Sequence, residues 1–200
     1  MIEHTILATE IGRAVGIPIV SLLATRVVGK RFFEHFQLLL ENLSSETLVK
    51  LSFVGIEVID ASFADEVFGT LAAQRARKES NIHPVILMGL NQTCVENLQM
   101  ALETRIEREP ETLERLRNCV LPLIDGGDLK LIGQFEDHVS ASFSLLSTHH
   151  SLTARDLADA LQLNVNAAST RLKTLSDLGL AFRTEMRDSV GKQYIYRSLV

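Results

Sequence analysis

Apolar and polar positions change period several times along this chain, and each change marks an element. His4 to Thr9 and Ile17 to Leu23 are β-rich and predict strands. Thr25 stands where it can cap a helix from Arg26 to about Asn42, in which Phe32, Phe33, Phe36, Leu39 and Leu40 recur at helical spacing. Leu48 to Val54 alternates and predicts a strand. Ser62 opens a second helix, to about Lys78. The apolar run ending at Met88, after Pro84, suits a buried strand, and Asn91 starts a helix reaching roughly Glu103. The order β-β-α-β-α-β-α predicts an α/β domain with helices covering a sheet.

Residues 104–120 carry Glu107, Glu109, Glu111 and Glu114 among Arg105, Arg108, Arg115 and Arg117, and predict a solvated helix pair broken near Pro110. Asp125-Gly126-Gly127-Asp128 is a strong turn signal between two apolar stretches, and the expected domain junction falls there. The expected domains are residues 1–124, with a charged helical extension from about 104, and residues 128–200.

The last third reads differently. Glu136 to His149 predicts one helix, with Val139, Phe143 and Leu146 on a face. Thr153 can cap a short helix through Leu161. A turn at Leu163-Asn164 leads to a third helix, about Asn166 to Leu178, whose Ala168, Leu172 and Leu175 point inward. Gly179 fits the left-handed position just past its end. Leu180 to Met186 and Gln193 to Leu199 predict two strands joined through Asp188-Ser189-Val190-Gly191.

Composition narrows the class. The chain has 200 residues, 46% apolar and 22% charged, which is ordinary for a globular protein and argues against global disorder. Cys94 and Cys119 form no CxxC or CxxxC pattern, so a zinc site of the usual spacing is not expected. A reducing cytoplasm is the expected compartment. Glu3 and His4 stand where a signal peptide carries basic residues, and Ala14 to Val28 contains Pro18 and Arg26 and is too short to span a bilayer. The net charge of −5 is uneven. Residues 1–135 hold 13 Lys/Arg against 18 Asp/Glu, while residues 149–200 hold 7 against 5 and are the only basic part.

Two constellations bear on function. In the first, Leu51 to Leu71, a strand ends near Val54-Gly55 and a helix begins at Ser62. Ser62 and Asp65 have capping-pair spacing, and Phe63, Val67, Phe68 and Leu71 follow on one side. A capped structural helix is one reading. The stretch Val58 to Leu71, with its Phe63-Ala64-Asp65-Glu66, also resembles the STAS-like domains of bacterial signalling proteins and, more distantly, the STAS fold of anti-sigma-factor antagonists. The likeness covers roughly residues 17–103. It implies a surface for a protein partner, such as an ATPase or kinase of the anti-sigma type, with Asp60 matching the family's acidic position, Ser62 its phosphorylatable serine, and Asp65 beside them. Ala61 stands where the family has a first serine, Ser52 where many relatives have an acid, and Phe63 where true antagonists have glycine. A phosphate at Ser62 would meet the positive end of a helix, opposed by Asp60, Asp65 and Glu66.

The second constellation is Ser151 to Leu199. Leu152-Thr153, Leu157-Ala158, Leu163, Ala167 to Leu172, Leu178-Gly179-Leu180 and the hairpin Arg183 to Arg197 resemble, in order, a winged helix-turn-helix of the MarR and related bacterial types. The resemblance implies binding to double-stranded DNA and a homodimer. Recognition in a major groove requires short polar side chains at the start of a helix and cations near phosphates. Asn166, Ser169, Thr170 and Lys173 share one outward face, Arg171 lies beside it, and Arg187 and Lys192 flank the hairpin tip. Winged helices also serve as protein-binding modules, so that alternative stands.

No enzyme constellation is expected. There is no Gly-rich phosphate loop and no GxSxG, and His149-His150 are adjacent rather than at metal-ligand spacing on a helix. No cofactor is implied. The expectation is a bacterial cytoplasmic regulator that couples a STAS-like partner-binding domain to a DNA-binding winged helix in transcription regulation. The alternative is an interaction module working beside a histidine-kinase-like ATPase, without DNA.

Overall fold

A computed structural model describes residues 2–44, 46–78, 83–108, 117–188 and 191–200. The chain divides into two compact units, Met1–Gln134 and Phe135–Val200.

The first unit is α/β. Its strands are β1 (Ile2–Leu7), β2 (Leu22–Leu23), β3 (Thr47–Ser52), β4 (Val58–Ile59), β5 (Val85–Met88), β6 (Cys119–Asp125) and β7 (Asp128–Gln134). Its helices are α1 (Ala8–Ala14), α2 (Arg26–Glu41), α3 (Ala61–Ala64), α4 (Thr70–Arg77) and α5 (Gln92–Arg108), with a π-helical segment, Asp65–Gly69, fusing α3 to α4. The main sheet has the order β1-β3-β5-β6-β7, parallel except for β7, and β2 pairs with β4 in a separate two-stranded ladder.

The core follows from alternation in the central strands. Val49 and Leu51 of β3, Val85 and Leu87 of β5, and Leu121 and Leu123 of β6 bury one face against the apolar stripes of the helices. Phe32 packs edge-on against Phe63 with ring centroids 5.2 Å apart, and Phe53 against Phe68 at 5.5 Å. Gly29 permits the close approach of α2 to the segment after β4, because a Cβ there would lie 3.0 Å from Cβ of Glu66.

Three expectations change in this unit. The turn Asp125–Asp128 is not a domain junction. It closes a β6–β7 hairpin whose second strand stays in the sheet, so the division falls after Gln134. Of the expected strand Ile17–Leu23, only Leu22–Leu23 is extended, because Gly16 turns the chain with a positive φ of 72° and Pro18 has no N–H for a ladder. Helix α1 is additional. The proposed break near Pro110 lies outside the described residues, and α5 runs on to Arg108.

The second unit contains α6 (Asp137–His149), β8 (Ser151–Thr153), α7 (Ala154–Leu161), α8 (Val165–Asp177), β9 (Phe182–Asp188) and β10 (Gly191–Arg197). Its sheet is antiparallel with the order β8-β10-β9. Both α6 and α7 pack on α8, and Leu157, Ala158, Ala168, Leu172 and Leu175 are buried as the helical periodicity requires. Gly179 ends α8 at φ 69°.

Candidate functional site

In the first unit the candidate switch residues sit where β4 delivers the chain into α3. The helix is capped by Asp60, not by the expected Ser62. Two residues of strand at Val58–Ile59 leave Asp60 extended (φ −79°, ψ 160°), and its Oδ1 accepts the Phe63 N–H at 2.7 Å. Its Oδ2 accepts the Thr25 N–H at 2.9 Å. One carboxylate therefore joins the start of α3 to the start of α2. Thr25 itself caps α2 through its hydroxyl, which accepts the Val28 N–H at 3.3 Å.

The expected Ser62–Asp65 capping pair does not form. Asp65 is buried and turned inward, where its Oδ2 accepts from Arg26 at 2.6 Å and its Oδ1 from Arg105 at 3.2 Å. Arg26 is half exposed and also lies 3.9 Å from Glu66. A buried carboxylate between two guanidinium groups is a structural tie first. Of Asp60, Ser62 and Asp65, only Ser62 is exposed.

In the second unit, a groove of about 550 Å³ is lined by the first turns of α7 and α8 and by β10. Local capping builds it. Thr153 and Asp156 form a reciprocal capping box that fixes the start of α7. The Thr153 backbone N–H, and then its hydroxyl, hold the Asp156 carboxyl below its ordinary pKa. Asn164 caps α8 by accepting the Ala167 N–H at 2.8 Å, which starts that helix at Val165. Asn166, Ser169 and Lys192 line the groove as a group.

The remaining expected contacts are placed differently. Thr170 is exposed, but its hydroxyl donates to the Asn166 carbonyl at 3.0 Å. Lys173 pairs with Asp177 at 2.7 Å, one helical turn on. Arg171 is half-buried, and Arg187 pairs with Glu185 at 3.1 Å on the outer reach of β9. None of these four lines the groove.

Sequence reasoning missed Arg155, Gln193 and Tyr194, which do line it. Arg155 carried a readable signal. It is exposed in the first turn of α7, where the helix dipole favours acids, so a cation there breaks a local rule. Tyr194 is stacked beneath Arg183, whose guanidinium carbon lies 3.6 Å from the ring centroid, and Lys192 lies 5.1 Å from the same ring.

Cys94 and Cys119 are both buried, and burial pushes the Cys94 thiol up. Among the described residues no group of three or more His, Cys, Asp or Glu is arranged to hold a metal, and no helix is long and apolar enough to cross a membrane.

No protein-family model matches the chain, and no curated protein matches it.

Proposed function

We propose that the second unit is a winged helix-turn-helix that binds duplex DNA, in a regulator whose first unit is a STAS-like domain for a protein partner. The observation that carries this reading is the groove of about 550 Å³, in which Arg155 and Lys192 flank the polar first turn of α8. Asn166 and Ser169 are short, polar and at a helix start, which suits reading base edges. Arg155 and Lys192 come from two other elements and suit the phosphates on either side. Helix α8 has its apolar side buried through Ala168, Leu172 and Leu175, so its opposite side is available.

In the first unit, Ser62 is the residue on which a partner or a kinase acts. It is exposed at the first turn of α3 and bears no capping duty. A phosphate there adds charge beside a helix start. The fusion of the two units in one chain couples partner occupancy to DNA affinity.

A second reading follows from the charges. The second unit holds seven Lys/Arg and seven Asp/Glu, and Lys173, Lys192 and Arg187 each pair with an acid of the same unit. A balanced surface of this kind suits a protein partner.

The experiment is a binding titration of the whole chain with random-sequence duplex across a salt series. Binding that weakens steeply with salt supports the DNA reading. No binding at low salt transfers the groove to a protein partner.

A further inference from the structure

Period two along the β9–β10 hairpin places six side chains on one face. Arg183, Glu185 and Arg187 stand opposite Tyr196, Tyr194 and Lys192 respectively. Three cations and Tyr194 suit a polyanion, while Tyr196 is buried beneath them, and Glu185 alone has the opposite sign. Its carboxylate sits between two of the cations. Oε2 accepts from Lys192 Nζ at 2.7 Å, and Oε1 accepts from Arg187 Nε at 3.1 Å. Hydrogen bonds, first from Lys192 and then from Arg187, hold this carboxyl below its ordinary pKa, so it is ionised at neutral pH.

The hairpin does not need this arrangement for stability. The side chains of Lys192, Arg187 and Glu185 are 49%, 80% and 37% exposed, and ion pairs so open to water contribute little. Glu is also a poor strand residue, where a β-branched one would serve the ladder better. A local choice that gains little for the fold points to the surface.

Resting on the duplex-binding reading above, we propose that Glu185 is a specificity-determining residue that competes with the DNA backbone for Lys192 and Arg187. In the free protein it occupies both cations. A phosphate approaching Lys192 must displace the carboxylate and then lie near it. The sequence-independent attraction falls, and the base-facing residues Asn166 and Ser169 carry a larger share of the total.

The test uses the full chain and random-sequence duplex. Glu185→Gln should bind about five-fold tighter than wild type at about 50 mM salt, with a salt slope steeper by about 0.9. Lys192→Gln should weaken the Glu185→Gln protein more than it weakens wild type, because only there does Lys192 meet a phosphate without first giving up a carboxylate. Glu185→Thr, which favours the strand, should behave as Glu185→Gln does. If wild type binds duplex but both Glu185 variants bind equally or more weakly, Glu185 orients Lys192 or does nothing, and the inference is overturned while the duplex reading stands. If neither wild type nor the variants bind at low salt, the duplex reading fails and takes the inference with it.

Discussion

The Asp60 carboxylate holds the Thr25 backbone N–H at 2.9 Å, 35 positions away in the chain. Thr25 has φ 74° and ψ 147°, a conformation that costs a β-branched residue of the order of 1–3 kcal/mol. The bond to Asp60 helps hold it there, with the ties of its hydroxyl and carbonyl to α2, and the other oxygen of the same carboxylate caps α3. Asp60→Ala should therefore destabilise the first unit by about 1–2 kcal/mol through the lost α3 cap, with the exposed Thr25 N–H turning to water. Urea unfolding followed by circular dichroism checks it. A midpoint equal to wild type contradicts the double role.

Asp65 and Ser62 should separate sharply under mutation. Asp65→Ala removes the buried carboxylate that joins Arg26 to Arg105 and should cost about 3 kcal/mol. Ser62→Ala touches an exposed hydroxyl that caps nothing and should stay within about 0.5 kcal/mol. Equal losses would restore Ser62 as the cap.

Arg75 of α4 is fully buried and donates through Nη2 to the His83 carbonyl at 2.8 Å, while Nε and Nη1 have no partner among the described residues. Burial pushes its pKa down, to about 9, so it remains a cation at neutral pH. Arg75→Met keeps the length and removes the buried charge. It should be neutral or stabilising by about 1–3 kcal/mol, read as an unchanged or raised Tm. A fall of several degrees would show that the guanidinium is a net support.

The capping box of α7 should show in the pH dependence. The folded-state pKa of Asp156 lies below its unfolded value, ordinarily about 3.9. Its contribution is thus present above that value and lost as pH falls through the folded pKa. Asp156→Ala should cost about 1 kcal/mol at pH 7, and its gap from wild type should close below about pH 4. A gap constant with pH would mean that the carboxylate charge plays no part.

Long periodic segments were legible in the sequence. The helices α2, α6, α7 and α8 lie within a residue or two of their expected ends, because each has an apolar stripe and α2, α7 and α8 add a Thr, Asn or Gly signal at one end. The Ser62 region was not legible in detail. Asp60 and Ser62 are both good capping residues two positions apart, and only the β2–β4 ladder, a long-range pairing, decides between them. The π segment Asp65–Gly69 was likewise hidden. It sits where Asp65 reaches Arg26 and Arg105, 39 and 40 positions away, and neither distance leaves a local trace. The β6–β7 hairpin is hidden because a two-residue turn with Gly126-Gly127 looks the same within a sheet as between domains. For the groove, Asn166, Ser169 and Lys192 were legible from α8 and the hairpin, while Tyr194 required knowing that Arg183 stacks on it.

The most direct test of the central claim is the salt dependence of duplex binding by wild type and Arg155→Ala. Arg155 is exposed, lines the groove and lies outside the buried side of α7, so its loss leaves the fold intact. Wild type should bind random duplex, and Arg155→Ala should weaken binding at every sequence while reducing the magnitude of the salt slope by about 0.9, the value for one phosphate contact. Equal affinity and equal slope for the two proteins, or no duplex binding by wild type at low salt, would contradict it.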